Sequence, residues 1–304
     1  KSDEGRDATL RLCDRAHVLI ENFRPGALER LGLGPAVLHA RNPALVVTRI
    51  TGFGQDGPYA NRPGFATLAE AMSGFAALNG EPDGPPLLPP IALTDEVTAL
   101  AAAFATMVAL RSGVGQVVDV NLFESMLQIM GPLPSAAAVQ PRLGAGIPYS
   151  VPRGTYRTSD GTWVAVSASS DSVAHRVLEL VGLGDDERLR TMAGRVEHRA
   201  LVDGAVADWI AGRSEQEVLD GFVAADAAIA PVMVMSQIIA DPHVAARGVL
   251  VDVGGVPQQA PVARLSRTPG RAGFPARPPG ADTDEVLHDL VSRTSGARRP
   301  SSPA

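Results

Sequence analysis

Short runs of aliphatic and β-branched residues alternate with stretches of helical spacing through the first 130 or so positions. Val18-Leu19-Ile20 and Ala44-Leu45-Val46-Val47-Thr48-Arg49-Ile50 are continuous enough to predict buried strands. Between them, Ala27 to Leu31 reads as helical, and Gly32 and Gly34 break it. Pro35 starts a second short helix at a position where its missing N–H costs nothing, and Asn42-Pro43 ends it. Strand, helix and strand within about 35 residues is a βαβ arrangement, which predicts a parallel sheet. Residues 6–16 read as a surface helix, 65–78 as a helix, Gln116 to Asn121 as a strand and Leu122 to Met130 as a helix.

The longest apolar run is Val97 to Leu110, with only Thr98 and Thr106 polar. It is too short to span a bilayer, so a buried core helix is expected. Asp95 and Glu96 open it, where the helix dipole favours negative charge, and Ser112-Gly113 stops it.

The pattern changes at 131–155, where prolines at 132, 134, 141, 148 and 152 suggest a connector. Tyr156 and the run Trp163 to Ser167, separated by the Asp160-Gly161 turn, predict a hairpin. Helical spacing follows at 171–181, 198–211 and 214–225, the last opened by a Ser214/Glu217 capping box. Ala228 to Met235 reads as a strand. From 254 the chain is rich in Pro, Gly and Arg, with one short helix at 282–291; the last dozen residues are expected to be disordered.

Composition narrows the function. The 304 residues allow one large domain or two ordinary ones, and 45% apolar against 20% charged residues suffices for a sizeable core. A net charge of −6 excludes a generally basic nucleic-acid binder. The single cysteine, Cys13, forms neither an intramolecular disulfide nor a multi-cysteine metal site; a reducing cytoplasm fits, and no signal peptide opens the chain. Of the 27 basic residues only Lys1 is lysine, so anion binding falls on arginine, on backbone N–H groups or on that first residue. The opening Lys1-Ser2-Asp3 lacks a methionine and reads like the interior of a longer protein.

Gly52-Phe53-Gly54-Gln55-Asp56-Gly57 matches the dinucleotide-binding fingerprint and follows a strand. Pro58 and Pro63 keep it from running into a helix, and the acid due after the next strand is missing, so a tight loop is the better reading. The histidines are isolated and form no metal-ligand pairing. Cys13 sits on an amphipathic helix and is expected to be buried and inert. Asp95 has two readings: a plain helix N-cap, or a partly desolvated carboxylate able to act as a nucleophile toward an activated carbonyl.

A series of motifs weighs on that choice. Glu21-Asn22-Phe23-Arg24-Pro25-Gly26, Leu31-Gly32-Leu33, Gly52-Phe53-Gly54 with Gly57-Pro58-Tyr59, Arg62-Pro63-Gly64 and Ala71-Met72-Ser73-Gly74 stand in one order. Gly115-Gln116 with Val118-Asp119-Val120, Asp160-Gly161 with Trp163, Asp241-Pro242 with Arg247-Gly248, and Thr283 to Leu287 continue it. The series resembles family III CoA-transferases, the formyl-CoA transferase and carnitine CoA-transferase group, across nearly the whole chain.

That resemblance implies an α/β fold with an open parallel Rossmann-like sheet domain, built from both ends of the chain, plus a smaller α+β domain, in an interlocked homodimer. It implies a large CoA-binding domain at 1–135 lacking its first strand, a linker at 136–155, a small domain at 156–248, and a linker and C-terminal return at 249–304. It places Asp95 as the nucleophile of CoA transfer between an acyl-CoA and a free carboxylic acid, through aspartyl-anhydride and aspartyl-CoA intermediates. Coenzyme A, a substrate rather than a resident cofactor, would meet Lys1, Asn22, Phe23, Arg24, Arg30, Gly64, Phe65 and Ala66. No metal, nucleic acid or membrane is implied. Racemases of the family carry a His-Asp pair where Gly64-Phe65 stands, which argues against isomerase chemistry. Relatives extend further at the N-terminus, so a non-catalytic CoA-binding or dimerisation fragment is the alternative. The loop Gly144-Ala145-Gly146-Ile147-Pro148 departs from relatives that have a histidine before the proline, and bears on substrate choice.

Overall fold

The computed structural model describes residues 2–136, 141–273 and 275–292. The chain divides into two compact units, Lys1–Leu143 with Asp282–Ala304, and Gly144–Ala281. The tail expected to be disordered lies outside the described residues.

The first unit opens with α1 (Asp3–Cys13), whose cap residue Ser2 accepts the Gly5 N–H at 3.2 Å. Strand β1 (Val18–Glu21), short helices α2 (Ala27–Arg30) and α3 (Pro35–Arg41), and strand β2 (Val46–Thr51) follow. Helices α4 (Ala66–Met72), α5 (Phe75–Leu78) and α6 (Leu93–Ser112) lead to strand β3 (Val117–Asn121), α7 (Leu122–Ile129) and α8 (Leu133–Ala136). The three strands form a parallel sheet in the order β1-β2-β3, with Val18 opposite Val46 and Val47 opposite Val117. The βαβ reading of the sequence thus holds. Cys13, Leu28, Leu38, Leu45 and Val47 build the core between α1, the short helices and the sheet. The helix expected over 65–78 is two, because Gly74 takes a left-handed backbone (φ 91°) that ends the first and starts the second.

Helix α6 departs from the expectation of a buried core helix. Its inward face is small and partly polar: Thr94, Thr98, Ala102, Thr106 and Ala109. Thr106 shares a 2.6 Å hydrogen bond with Thr48 of β2, so α6 lies close on the sheet, where small side chains fit. The bulky residues face out instead, with Leu100 73%, Phe104 74% and Met107 63% exposed. By length and apolar composition alone α6 also meets the requirement for crossing a membrane.

In the second unit, β4 (Arg153–Arg157) pairs antiparallel with β5 (Trp163–Ser167), which completes the expected hairpin. Helices α9 (Asp171–Leu180), α11 (Arg199–Ala211) and α12 (Glu215–Ala224) pack on the sheet, whose third strand is β6 (Ile229–Pro231), and α10 (Met192–Glu197) packs beside α11. The Ser214/Glu217 capping box at the start of α12 is formed. Tyr156, Val164, Val166, Val177, Ile210 and Phe222 belong to its core. The strand read over 228–235 is only β6; α13 (Met235–Ala240) and α14 (Pro242–Ala246) follow. This unit runs on to Ala281, past residue 248, because β7 (Leu250–Val253) and β8 (Val256–Gln259) pair as a hairpin within it. Helix α15 (Thr283–Ser292) belongs to the first unit and packs on α1.

Candidate active site

A cleft of about 560 Å³ opens in the first unit at the C-terminal ends of β1 and β2. Ligands of open parallel sheets sit at this edge, because loops leaving the strands and helix N-termini converge there. Asn22 enters from the loop after β1, Thr51 and Gly52 from the end of β2, Gly64, Phe65 and Ala66 from the approach to α4, and Asp95 from the first turn of α6. Leu88, Pro89 and Ile91 line it from the Pro-rich loop. That loop is held by Asn79, whose side-chain amide donates to the Leu87 carbonyl at 3.0 Å and whose own carbonyl accepts the Leu87 N–H at 3.2 Å.

The Gly-rich loop meets the cleft at Gly52. Gly54 turns with φ 93° and donates its N–H to Thr51 Oγ1 at 2.9 Å. Phe123 at the start of α7 donates its N–H to the Gly52 carbonyl at 3.1 Å. Gly52 lies against Gly64, a Cβ on either falling within 2.6 Å of the other's Cα. The first glycine of the fingerprint is therefore fixed by contact between two backbones.

Asp95 is exposed and is the third residue of α6, so it sits inside the first turn; the cap position is Ala92, which offers no side-chain bond. The half-desolvated setting expected for Asp95 is absent from the first unit taken alone. It makes no side-chain hydrogen bond among the described residues. Sequence reasoning missed its neighbour in the cleft, Glu70 of α4, which is 3% exposed and accepts a hydrogen bond from Thr94 Oγ1 at 2.9 Å. The available signal was a lone acid among Ala69, Ala71 and Met72.

The loop carrying Asn22, Phe23 and Arg24 has a buried ionic footing, also missed. Arg49 Nε donates to Glu21 Oε1 at 2.6 Å, Arg49 Nη1 donates to Glu29 Oε1 at 2.7 Å, and Glu21 Oε2 accepts the Phe23 N–H at 2.7 Å. Glu21, the last residue of β1, is the register partner of Arg49 within β2. Hydrogen bonding to Arg49 holds the Glu29 carboxyl below the ordinary carboxylate value. Phe23 and Arg24 are exposed and do not line the cleft. Arg30 is exposed too and lines a separate concavity of about 610 Å³ with Ser2, the cap of α1, and Arg6 and Thr9 of that helix. Lys1 lies outside the described residues.

The family profile described as CoA-transferase family III matches residues 1–283. The succinyl-CoA–D-citramalate CoA-transferase of Chloroflexus aurantiacus is 34% identical over 97% of this chain and 77% of its own length. The alpha-methylacyl-CoA racemase of Homo sapiens is 30% identical over 95% of this chain and 78% of its own. The crystal structure of a CAIB/BAIF family protein from Brucella suis superposes with a TM-score of 0.75 at 30% identity, covering 95% of this chain and 79% of that one.

Proposed function

Since the chain belongs to CoA-transferase family III, we propose that it moves CoA from an acyl-CoA to a free carboxylic acid with Asp95 as the nucleophile. The observation that carries this reading is the convergence of Asp95 with Asn22, Gly64, Phe65 and Ala66 on one cleft at the sheet's C-terminal edge. An Asp95 carboxylate oxygen attacks the thioester carbonyl carbon, the C–S bond breaks, and CoA leaves as the thiolate. The thiolate then attacks the aspartyl carbonyl of the mixed anhydride, releasing the first acid and leaving an aspartyl-CoA thioester. The acceptor carboxylate attacks that thioester, and CoA departs again. Its return to the substrate carbonyl of the second anhydride frees Asp95 and the new acyl-CoA. No proton has to move, so a bare carboxylate without a base partner suffices; covalent capture divides one hard exchange into easier ones.

In this reading Asn22, Phe23, Arg24 and Arg30 contact CoA from the loop and α2, and arginines suit its phosphates through charge-assisted bonds. Lys1 is assigned to the same anion site. The bulky outward face of α6 supports a homodimer, which we take to be interlocked, working in the cytoplasm. Gly64-Phe65 and the absence of histidine among the residues lining the cleft favour transfer over racemisation.

The test is incubation with succinyl-CoA, the donor in the name of the Chloroflexus relative, followed by hydroxylamine and peptide mapping. Modification of the Asp95 peptide, together with loss of transfer in D95N, is the expected result. An active enzyme whose Asp95 peptide stays unmodified would falsify the mechanism.

A further inference from the structure

The N-terminal turn of a helix frays unless something outside it holds its end. In α6 no side chain caps that end, because the cap residue is Ala92. What holds the turn is Thr94. Its side chain is fully buried, and its Oγ1 donates to Glu70 Oε1 at 2.9 Å while lying 3.4 Å from Met126 Sδ. Its carbonyl accepts the Thr98 hydroxyl at 2.7 Å one turn on. Thr94 is thus tied to α4, α7 and its own helix, and the next residue is Asp95.

Glu70 is an expensive acceptor to bury. A carboxylate removed from water needs donors, and Thr94 is its hydrogen-bond donor among the described residues. The same carboxylate lines the cleft that Asp95 enters.

We infer that Glu70 is a positioning residue: through Thr94 Oγ1 it fixes the first turn of α6, and with it the Asp95 carboxylate, in the cleft. This rests on the assignment of Asp95 as nucleophile. Glu70 takes no part in bond making, so its contribution falls on the capture step and leaves CoA affinity largely alone. A nucleophile displaced by a fraction of an ångström loses rate while the substrate still binds.

The experiment uses the full chain and the variants T94V, T94S, E70L and E70Q. Turnover, KM for acyl-CoA, the initial rate of Asp95 hydroxamate formation and the thermal unfolding midpoint are measured for each. Valine matches threonine in shape and lacks only the hydroxyl, so T94V covers the case in which E70L fails to fold. The expected result is a loss of roughly 10- to 100-fold in kcat and in the hydroxamate rate for T94V and E70L, with KM changed less than about threefold. T94S and E70Q, which keep donor and acceptor, recover most of the loss. Folded T94V with the wild-type hydroxamate rate overturns the inference, as does a loss confined to KM or shared equally by T94S. If wild-type Asp95 is labelled and T94V behaves as wild type, only the positioning role falls. If wild-type Asp95 is never labelled, the nucleophile assignment falls and this inference with it.

Discussion

A Cβ built on Gly52 would lie 2.6 Å from the Cα of Gly64, and one built on Gly64 would lie 2.5 Å from the Cα of Gly52. The two backbones touch, and both line the cleft beside Asp95. Neither residue tolerates a methyl group without moving a strand end away from the approach to α4.

Alanine at either position therefore destabilises the first unit by about 1–3 kcal/mol, as overpacking does. The double variant G52A/G64A costs less than the sum of the singles, because the first substitution already opens the gap that the second needs. Hydrogen exchange of the β2 amides compares the three variants; additive losses would show that the contact does not govern the fold here.

Arg49 anchors the loop that carries Asn22. R49M leaves Glu21, buried at the end of β1, without its cation, and an uncompensated buried charge costs about 3–5 kcal/mol. R49M/E21Q recovers part of that. Glu29 supplies the pH dependence. Its folded-state pKa lies below the ordinary 4.5. Its contribution is therefore present above that value and is lost as pH falls through the folded pKa. The stability gap between wild type and E29Q is expected to close on acidification. A gap that stays constant across that range would contradict the Glu29–Arg49 bond.

These two cases show what could be read from the sequence. The βαβ unit, the capping box at Ser214 and the place of Asp95 in the first turn of the apolar helix rest on local spacing, so they were visible. The Glu21–Arg49 pair has a signal of its own: opposite charges at paired positions of two otherwise apolar parallel strands. Little in the local pattern marks Glu70, since its burial depends on α6 and α7 packing over α4. The orientation of α6 runs against its apolar pattern for a physical reason. Apolar bulk predicts the inward face of a helix only when the space beneath is wide, and the 2.6 Å bond between Thr48 and Thr106 leaves room for threonine and alanine. The φ of Gly54 followed from its turn, but the Gly52–Gly64 contact joins segments that no local pattern connects.

Cys13 is buried in the core of the first unit. Burial, and then the neighbouring Asp14 carboxylate, push its thiol above the ordinary value, while Arg41 pulls the other way. The native chain is expected to resist Ellman's reagent at pH 8, and the chain in guanidinium to take up one equivalent as a mixed disulfide with release of one nitrothiobenzoate. Rapid labelling of the folded protein would mean that α1 opens readily.

In the second unit, Arg195 is fully buried and uses its whole fork. Nε donates to the Val151 carbonyl at 2.9 Å, Nη1 to Leu189 and Arg190 carbonyls at 3.1 and 3.3 Å, and Nη2 to Asp171 at 2.7 Å. Lysine cannot reproduce that geometry, so R195K is expected to cost about 2–4 kcal/mol despite keeping the charge. Both tryptophans, Trp163 and Trp209, belong to this unit. Urea unfolding followed by tryptophan fluorescence thus reports on it alone, and an unchanged midpoint would count against the role of the fork.

Asp95 and the outward row Leu100, Phe104 and Met107 ride on one rigid rod. Phe104 stands nine residues beyond Asp95, about 14 Å along the axis. A stripe of that kind is covered by whatever apolar surface is available, and the covered fraction obeys mass action. Enzyme concentration thereby becomes a variable of the chemistry: if the cover steadies the rod, turnover per molecule declines as the protein is diluted, while turnover that stays level into the nanomolar range shows that covering the stripe does not reach Asp95.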